Sequence, residues 1–366
     1  MNAKIIAMYL PQFHQIKEND EFWGEGFTDW VSVKKAKPLF NNHIQPRIPL
    51  NREYYDLSQE KDVRWQCKLA KEYGIYGFGI YHYWFNNDKN LLTKPAQIIF
   101  ENKDIDINYF FAWDNGSWKR SWSNVKGNDW SPLEEKIEDK KGPSVLIPYI
   151  LGGESDWENH FNYLLPFFND CRYIRIDNKP VFVIYNYNKE IEKMCAYWDK
   201  LAKRQGLNGI FVIYRYDELS PCPNGSNMYF YQPLASAGWQ KKYTLSKAFY
   251  KLMNFFHLEI LQSYNYDKIW LQLLSEAKRH TSSNMFHGAF VSYDDTPRRG
   301  IKGKIIKESS PEKFQKYLTE LLNICKEQGK EYVFLTAWNE WSEGAYLEPD
   351  IENKYAYLTA VRDSLK

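Results

Sequence analysis

Two glutamates lie among indole rings near the end of the chain, in the segment Trp338-Asn339-Glu340-Trp341-Ser342-Glu343-Gly344. An apolar run of strand length precedes this segment. Apolar surroundings raise the pKa of one carboxyl group while hydrogen bonds keep its neighbour ionised, and acid–base chemistry at a glycosidic bond uses that difference. We therefore predict that Glu340 and Glu343 are the catalytic residues of an enzyme that acts on carbohydrates.

The spacing of the two glutamates restricts the backbone that can carry them. Side chains at i and i+3 share a face in a helical turn but point apart in a strand, so the chain must turn between Glu340 and Glu343. Gly344 is suited to such a turn. A carboxyl separation of about 5 to 5.5 Å is typical of a direct nucleophile and acid, and roughly 6.5 to 9.5 Å leaves room for water. Attack by a hydroxyl of the sugar itself requires neither spacing, and two solvated loop acids are the alternative without chemistry.

Apolar strands alternate with helical stretches along the whole chain. Eight strands are predicted at Lys4–Leu10, Gly77–Tyr83, Asn108–Trp113, Val181–Asn186, Ile210–Arg215, Met228–Gln232, Ala289–Tyr293 and Tyr332–Trp338. Helices are predicted at Ser58–Tyr73, Lys94–Phe100, Asp156–Phe168, 190–205 and 311–329, and in part of 240–284. Near-continuous apolar strands with helices between them indicate a parallel sheet covered on both faces.

Eight such strands predict an α/β fold, a (β/α)8 TIM-type barrel with its active site at the C-terminal ends of the strands. Because barrels of this kind often reach such a length as one unit, we expect residues 1–366 to form a single catalytic domain. Long loop insertions are predicted at the C-terminal face, at about 114–180 and 233–288. The apolar segment Val145–Ile150 falls in the first insertion and is left out of the eight. The Trp- and Gly-rich stretch Phe22–Trp30 continues into a Pro-containing segment that ends at about Leu50. Together they are too long for a plain connection and are expected to form a functional or disordered loop.

Polar and aromatic side chains follow strand after strand, as expected at the mouth of a barrel. The residues predicted to bind substrate are His14, Trp30, His82, Tyr83, Trp84, Trp113, Asp114, Tyr185, Asp294, Trp338, Asn339 and Trp341. Turns after strands favour Asn and Asp in any protein, but turn chemistry does not explain Trp and His at the same places. For single residues the alternatives stay open, since a buried histidine or tryptophan can equally belong to the core.

Composition excludes several classes of function. The formal charge is only +2, from 48 basic and 46 acidic residues, so no field over the whole sequence attracts nucleic acid or membranes. The five cysteines form no CxxC pair, and no His/Cys cluster predicts a metal or cofactor. No apolar run approaches the roughly 18 residues of a membrane span. Without a signal-peptide pattern at the start of this sequence, a cytoplasmic protein is expected. Aromatic residues make up 17% of the chain, and sugar-binding clefts and large cores both use such surface.

Several motifs in this order resemble the WbsX group, which is related to glycoside hydrolase family 99. They are Leu10-Pro11-Gln12-Phe13-His14, Gly26-Phe27-Thr28-Asp29-Trp30, Tyr81-His82-Tyr83-Trp84-Phe85, the segment 172–182, Asp294-Asp295-Thr296-Pro297-Arg298 and 338–344. The matches span nearly the whole chain. WbsX proteins are often assigned as glycosyltransferases of surface-polysaccharide synthesis, whereas family 99 contains retaining endo-α-mannosidases and endo-α-mannanases on a (β/α)8 barrel.

The resemblance to family 99 implies a role for each glutamate. Its motif of Asn-Glu-Trp-His-Glu-Gly type matches residues 339–344, so Glu340 would act as a base on the 2-hydroxyl of the sugar. That hydroxyl would then attack C1 to give a 1,2-anhydro sugar. Glu343 would protonate the leaving oxygen and afterwards activate water. Ser342 stands where the mannosidases carry His, which puts the identity of the sugar in doubt.

Three functions are therefore weighed. The first is a retaining glycoside hydrolase that acts on an α-linked oligo- or polysaccharide through Glu340 and Glu343. The second is a glycosyltransferase of O-antigen or capsule synthesis, for which the acid-x-acid motif of metal-dependent enzymes has Asp104-Ile105-Asp106 as its nearest match, placed before a strand. The third is a carbohydrate-binding protein without catalysis, which would explain the aromatic residues but not the paired glutamates.

Overall fold

Eight parallel strands form a closed barrel. The computed structural model describes residues 3–119, 145–219, 221–239, 249–250 and 260–366. The barrel strands are β1 (Lys4–Tyr9), β2 (Ile75–Asn86), β3 (Asn108–Trp113), β4 (Lys179–Ile184), β5 (Phe211–Arg215), β6 (Met228–Tyr229), β7 (Met285–Phe290) and β8 (Tyr332–Thr336). Each strand pairs with its neighbour in sequence, and β1 closes the barrel by pairing with both β2 and β8. The predicted TIM-type barrel is confirmed.

Helices cover the outside of the barrel. They are α1 (Lys17–Trp23), α2 (Asp29–Lys35), α3 (Glu60–Glu72), α4 (Lys94–Glu101), α5 (Glu154–Phe168), α6 (Lys189–Arg204), α7 (Tyr266–Arg279), α8 (Thr296–Arg299), α9 (Pro311–Glu327) and α10 (Ala356–Ser364). In α3 the buried face includes Val63, Cys67 and Ala70, at the helical spacing visible in the sequence. None of the helices described in the structure is both long and apolar enough to cross a membrane.

Short elements extend the strand ends. Three-residue 3₁₀ turns lie at Leu50–Arg52, Gly300–Lys302 and Trp341–Glu343. Short strands outside the barrel lie at Lys89–Leu91, Trp118–Lys119, Val145–Ile147, Arg175–Ile176, Gln262–Asn265, Tyr293–Asp294, Lys304–Lys307, Asn339–Glu340 and Ala345–Tyr346. Val145–Ile147 pairs antiparallel with Trp118–Lys119 and is separate from the barrel sheet.

Two local predictions differ from the structure. The seventh strand was expected at Ala289–Tyr293, but β7 is Met285–Phe290, because Met285, Phe286 and His287 are buried and pair with β6 and β8. The stretch Phe22–Trp30 contains the end of α1 and the start of α2, because Trp30 is buried in the main core and Trp23 packs with Phe27 in a separate small cluster. The two predicted insertions fall on the connections from β3 to β4 and from β6 to β7, and their residues 120–144, 240–248 and 251–259 lie outside the described residues.

Aromatic side chains fill the interior of the barrel. The Phe334 ring centroid on β8 lies 5.0 Å from that of Tyr229 and 5.7 Å from those of Phe110 and Phe286. Such packing leaves little free space, so small residues are needed where backbones approach closely. Gly288 on β7 is the clearest case, because a Cβ there would lie 1.9 Å from the carbonyl oxygen of Phe230.

We expect Gly288→Ala to destabilise the protein by about 2 kcal/mol or more, because backbone atoms of β7 and the residue after β6 must move apart. Chemical denaturation followed by circular dichroism measures the change in the free energy of unfolding. Gly153→Ala is the matched control, since a Cβ at Gly153 meets no atom within 4 Å. Equal stability of the two variants would contradict the close contact at Gly288.

Candidate active site

A tight turn follows β8 and carries both glutamates. Asn339–Glu340 pairs antiparallel with Ala345–Tyr346, and the 3₁₀ turn Trp341–Glu343 connects the two short strands. Gly344 ends the turn in the left-handed conformation, with φ 58°. A Cβ on Gly344 would also lie 2.9 Å from that of Asp294, so glycine is required for both conformation and space. The chain thus turns between Glu340 and Glu343, as their spacing requires for a shared site.

The Glu340 carboxyl group is buried at the bottom of the barrel mouth. Its side chain is 6% exposed, and the nearest cation to Oε2 is Nη2 of Arg298 at 3.7 Å. Among the described residues, Oε2 has no hydrogen-bond partner. Burial raises the pKa of Glu340 well above its ordinary value of 4.5, and the negative charges of Glu343 and Asp29 raise it further. Arg298 and the Tyr81 hydroxyl oppose this rise without cancelling it.

Arg298 joins the turn that carries the glutamates to Asp29, an acid from a distant part of the chain. Its Nη1 donates to Oε1 of Glu343 at 2.8 Å, and its Nη2 donates to Oδ1 of Asp29 at 3.0 Å. The same Asp29 oxygen accepts a hydrogen bond from Ser342 Oγ at 2.9 Å. Arg298 lies on α8, Asp29 begins α2 and Ser342 lies between the glutamates, so this network fixes the glutamate turn to both helices. Ser342 is fully buried in this network.

Tyrosines form the wall of the mouth around Glu340. Tyr81 and Tyr83 project from the same face of β2, because alternate residues of a strand share a face. The Tyr81 hydroxyl lies 3.3 Å from that of Tyr231, and the charges of Glu340 and Glu343 both act on Tyr231. Burial keeps the pKa values of these tyrosines well above 10, so their hydroxyls remain neutral hydrogen-bonding groups.

A second polar group lies at the ends of β3, β4 and β5. Arg215 Nη2 lies 3.3 Å from Oδ1 of Asn186 and 3.7 Å from Oδ2 of Asp217, and its guanidinium lies 5.1 Å from the Tyr185 ring centroid. Burial raises the pKa of Asp114, which the nearby Arg215 partly offsets. The charges of Asp114 and Glu340 both raise the pKa of Tyr83, so Tyr83 lies within electrostatic reach of this group and of the glutamates.

Three of the predicted binding residues, His82 and Trp84 on β2 and Trp113 on β3, point away from the glutamates. His82 Nε2 lies 2.8 Å from Nε2 of His160 on α5, and burial lowers the pKa of His82 to about 3. The Trp84 ring stacks on His160 with centroids 4.4 Å apart, and the Trp113 ring lies edge-on to it at 4.9 Å. His82, Trp84 and Trp113 therefore lie between the barrel and α5.

Most of the remaining predicted residues are buried and pack against or within the turn that carries the glutamates. Asn339 binds both backbone groups of Leu10. Its Oδ1 accepts from the Leu10 amide at 2.7 Å, and its Nδ2 donates to the Leu10 carbonyl at 2.9 Å. Trp30 packs 5.3 Å from Trp341, and both rings are buried, as is Trp338. His14 is buried too, and burial lowers its pKa.

Asp294 is a buried residue that binds other parts of the protein. Its Oδ2 accepts from His43 Nε2 at 2.9 Å and from Gln45 at 2.8 Å, and its Oδ1 accepts from Thr296. Burial alone would raise the pKa of Asp294, but these hydrogen bonds and the nearby Arg47 lower it. Of the predicted residues, the structure thus brings together Glu340, Glu343, Tyr83, Asp114 and Tyr185 at the mouth.

Sequence reasoning missed six residues of the mouth as site residues: Asp29, Tyr81, Asn186, Arg215, Tyr231 and Arg298. Asp29 and Arg298 lie within the quoted motifs, yet only the fold shows that they meet. Strand alternation was the available signal for Tyr81, because it shares a face with Tyr83. Among the described residues, no group of three or more His, Cys, Asp and Glu side chains is arranged to hold a metal ion.

The chain belongs to the WbsX family. The family model described as "Glycosyltransferase WbsX" matches residues 5–361. Two proteins named WxcX, from two strains of Xanthomonas campestris pv. campestris, are each 29% identical over 371 residues. These alignments cover 99% of this chain but 50% of each relative, so the chain spans about half the length of the curated relatives it matches.

Solved structures of glycoside hydrolase type share the fold. An endo-α-mannosidase of family 99 from Bacteroides thetaiotaomicron superimposes with a TM-score of 0.56 at 13% identity, over 98% of this chain and 96% of the other. A glycoside hydrolase-like protein superimposes with a TM-score of 0.61 at 12% identity, over 100% and 94% of the two chains. At these identities the similarity shows a common barrel.

The raised pKa of Glu340 makes stability depend on pH. A carboxyl group whose pKa is higher in the folded than in the unfolded state contributes stability below pH 4.5, and this contribution is lost as pH rises through the folded value. We expect Glu340→Gln to be more stable than the unmodified protein at pH 8, by about 0.5 to 2 kcal/mol, and to lose this advantage near pH 4.

Denaturant titrations at both pH values measure this difference. Glu352→Gln is the control, because Glu352 is an exposed glutamate close in sequence. We expect no such pH-dependent gain in the control. A Glu340→Gln variant that is less stable than the unmodified protein at pH 8 would contradict the electrostatics described here.

Proposed function

We propose that this protein is a retaining glycoside hydrolase that cleaves an α-linked glycan in the barrel mouth, with Glu340 and Glu343 as the catalytic pair. The observation that carries the proposal is that both carboxyl groups lie next to the guanidinium of Arg298, at an opening lined with tyrosines. Active sites of TIM barrels lie at this end of the strands. Tyrosine rings and hydroxyls offer the mixed apolar and polar surface that sugars bind.

Burial suits Glu340 to the role that the resemblance to family 99 implies for it. A carboxylate with a raised pKa is a stronger base, and removal of a proton from a sugar hydroxyl benefits from base strength. Glu343, which lies 2.8 Å from Arg298, is the second member of the pair: once it has taken up a proton, it delivers that proton to the leaving oxygen as the bond from this oxygen to C1 breaks. Binding of substrate must then rearrange the Arg298 contact, so that the Glu343 carboxyl group reaches the glycosidic oxygen.

The second polar group of the mouth favours a substrate of several sugar units. Asp114, Asn186 and Arg215 offer acceptors and donors on the wall formed by β3, β4 and β5, across the barrel from β8. A sugar next to the cleaved bond would place neighbouring hydroxyls against these groups. We therefore infer an oligo- or polysaccharide substrate.

A glycosyltransferase is the second candidate, because the family model carries that description. Asp104 and Asp106 do not support the metal-dependent kind. Asp104 pairs with Arg64 at 2.6 Å and Asp106 with Lys71 at 3.0 Å, and both lie before β3, at the end of the barrel opposite the mouth. Asp104 and Asp106 are therefore not available to hold a metal ion at the mouth.

The experiment that separates these functions offers the purified protein a panel of α-linked oligosaccharides and a panel of nucleotide sugars. We expect cleavage of at least one α-linked glycan, and losses of about 10³-fold or more in kcat for Glu340→Gln and Glu343→Gln. Glu352→Gln, at an exposed glutamate close in sequence, is the control and should keep full activity. Release of nucleotide without cleavage of any glycan would overturn the hydrolase, and full activity of both variants would overturn the site.

The rate should also depend on pH through Glu340. As a base Glu340 must be ionised, so kcat/KM should fall as pH is lowered through a pKa well above 4.5. A pH–rate profile on the substrate found in the panel measures this limb. A rate that rises as pH is lowered through that range would instead assign Glu340 the role of the acid.

A further inference from the structure

A third glutamate, Glu348, lies fully buried behind the glutamate turn. Its Oε2 accepts from the Trp341 indole Nε1 at 2.6 Å and from the Tyr55 hydroxyl at 2.7 Å. Its Oε1 accepts from Gln66 Nε2 at 2.7 Å. Among the described residues, no arginine, lysine or histidine forms an ion pair with this carboxylate. A buried carboxylate bound only by neutral donors is costly to ionise, and such a group is uncommon without a role.

The partners of Glu348 reach both sides of the catalytic turn. Trp341 lies between Glu340 and Ser342, and its ring stacks on Tyr346 with centroids 3.8 Å apart. Tyr55 also lies 3.4 Å from Nδ2 of Asn339, the residue before Glu340. The backbone closes the same unit, because the Leu347 amide donates to the Trp338 carbonyl at 2.9 Å. Glu348 therefore binds Trp341 directly and is connected to Asn339 through Tyr55, so its contacts reach both neighbours of Glu340.

We propose that Glu348 is a positioning residue, whose ionised carboxylate holds Trp341 and Tyr55 and thereby fixes the turn that presents Glu340 and Glu343. This inference rests on the proposed function, since it assigns Glu348 to the same site. The contacts themselves can be tested without a substrate, so the two proposals can fail separately.

Ionisation of Glu348 decides whether the network can form. An ionised carboxylate accepts several hydrogen bonds, whereas a protonated one carries an O–H that must itself donate. Of the three donors to Glu348, only the Tyr55 hydroxyl can also accept, so protonation either breaks a contact or reverses the one with Tyr55. Burial raises the pKa of Glu348 to about 7, while hydrogen bonds from Trp341, Tyr55 and Gln66 oppose the rise.

The titratable groups around Glu348 do not compete with it near neutral pH. Tyr9 donates to Gln66 Oε1 at 2.6 Å, and burial keeps the pKa values of Tyr9 and Tyr55 well above 10. Burial also raises the pKa of Cys67, whose thiol acts electrostatically on Tyr9. Glu340 is buried on the other side of the turn and has a titration of its own. Its titration step must therefore be distinguished from that of Glu348.

Nuclear magnetic resonance of the full chain tests the proposal. The Trp341 indole signal is assigned as the one lost in Trp341→Phe, and the ¹³C carboxyl signal of Glu340 as the one lost in Glu340→Gln. We expect the indole signal to titrate with a midpoint near 7 and the Glu340 signal to show an additional step at the same pH. Both effects should disappear in Glu348→Gln and persist in Glu352→Gln.

Tyr55→Phe gives a directional test that does not depend on the folding of Glu348→Gln. It removes a donor to the charged form, so the common midpoint should move to higher pH. An indole signal that titrates while the Glu340 signal shows no matching step would reduce Glu348 to a structural residue. An indole signal that does not titrate, or a midpoint that does not rise in Tyr55→Phe, would overturn the network.

Discussion

The burial of the Glu340 carboxyl group beside two other acids, with Arg298 as the cation they share, is the constraint on which the site depends. A carboxylate taken out of water is costly unless it is paired, and the distance of 3.7 Å to Arg298 leaves Glu340 only weakly compensated. Arg298 gives its shorter contacts to Glu343 and Asp29. The result is a set of carboxyl groups in contrasting environments within one opening, which acid–base catalysis at a glycosidic bond requires.

Side-chain amides stabilise this costly arrangement by joining the ends of neighbouring strands. Asn339 binds both backbone groups of Leu10, which joins the end of β1 to the turn after β8. Asn115 does the same for Asn186 between β3 and β4, because it accepts from the Asn186 amide and donates to its carbonyl. Buried amides that satisfy backbone groups in this way hold loop positions firmly. The polar groups of the mouth therefore stand on a rigid frame.

The sequence predicts the barrel and the location of the pair, because both depend on local patterns. Apolar strands of Val, Ile, Phe and Tyr alternate with amphipathic helices, and that alternation is nearly enough to count the eight strands. The sequence does not predict in which direction individual side chains point at the strand ends. His82 and Tyr83 are neighbours, yet Tyr83 faces the mouth and His82 packs on His160 at α5. Only the position of the barrel axis distinguishes the two faces.

The partners of the glutamates depend on contacts over long sequence separations. Arg298 and Asp29 meet across 269 residues, and no local pattern in either segment indicates the other. Ser342 shows the same limit, because no local pattern indicates that it donates to Asp29, which lies 313 residues away in the sequence. No single segment of the sequence predicts that α2, α8 and the turn after β8 converge on the guanidinium of Arg298.

Cleavage and transfer of a sugar share much of their chemistry, so the stereochemistry of the product is the sharpest test of the central claim. The measurement is a ¹H spectrum recorded as the protein cleaves an α-linked oligosaccharide, before the new reducing end equilibrates. Two successive displacements at C1, the first by the sugar's own hydroxyl and the second by water, predict that the α anomer appears first. First appearance of the β anomer would contradict the retaining mechanism assigned to Glu340 and Glu343.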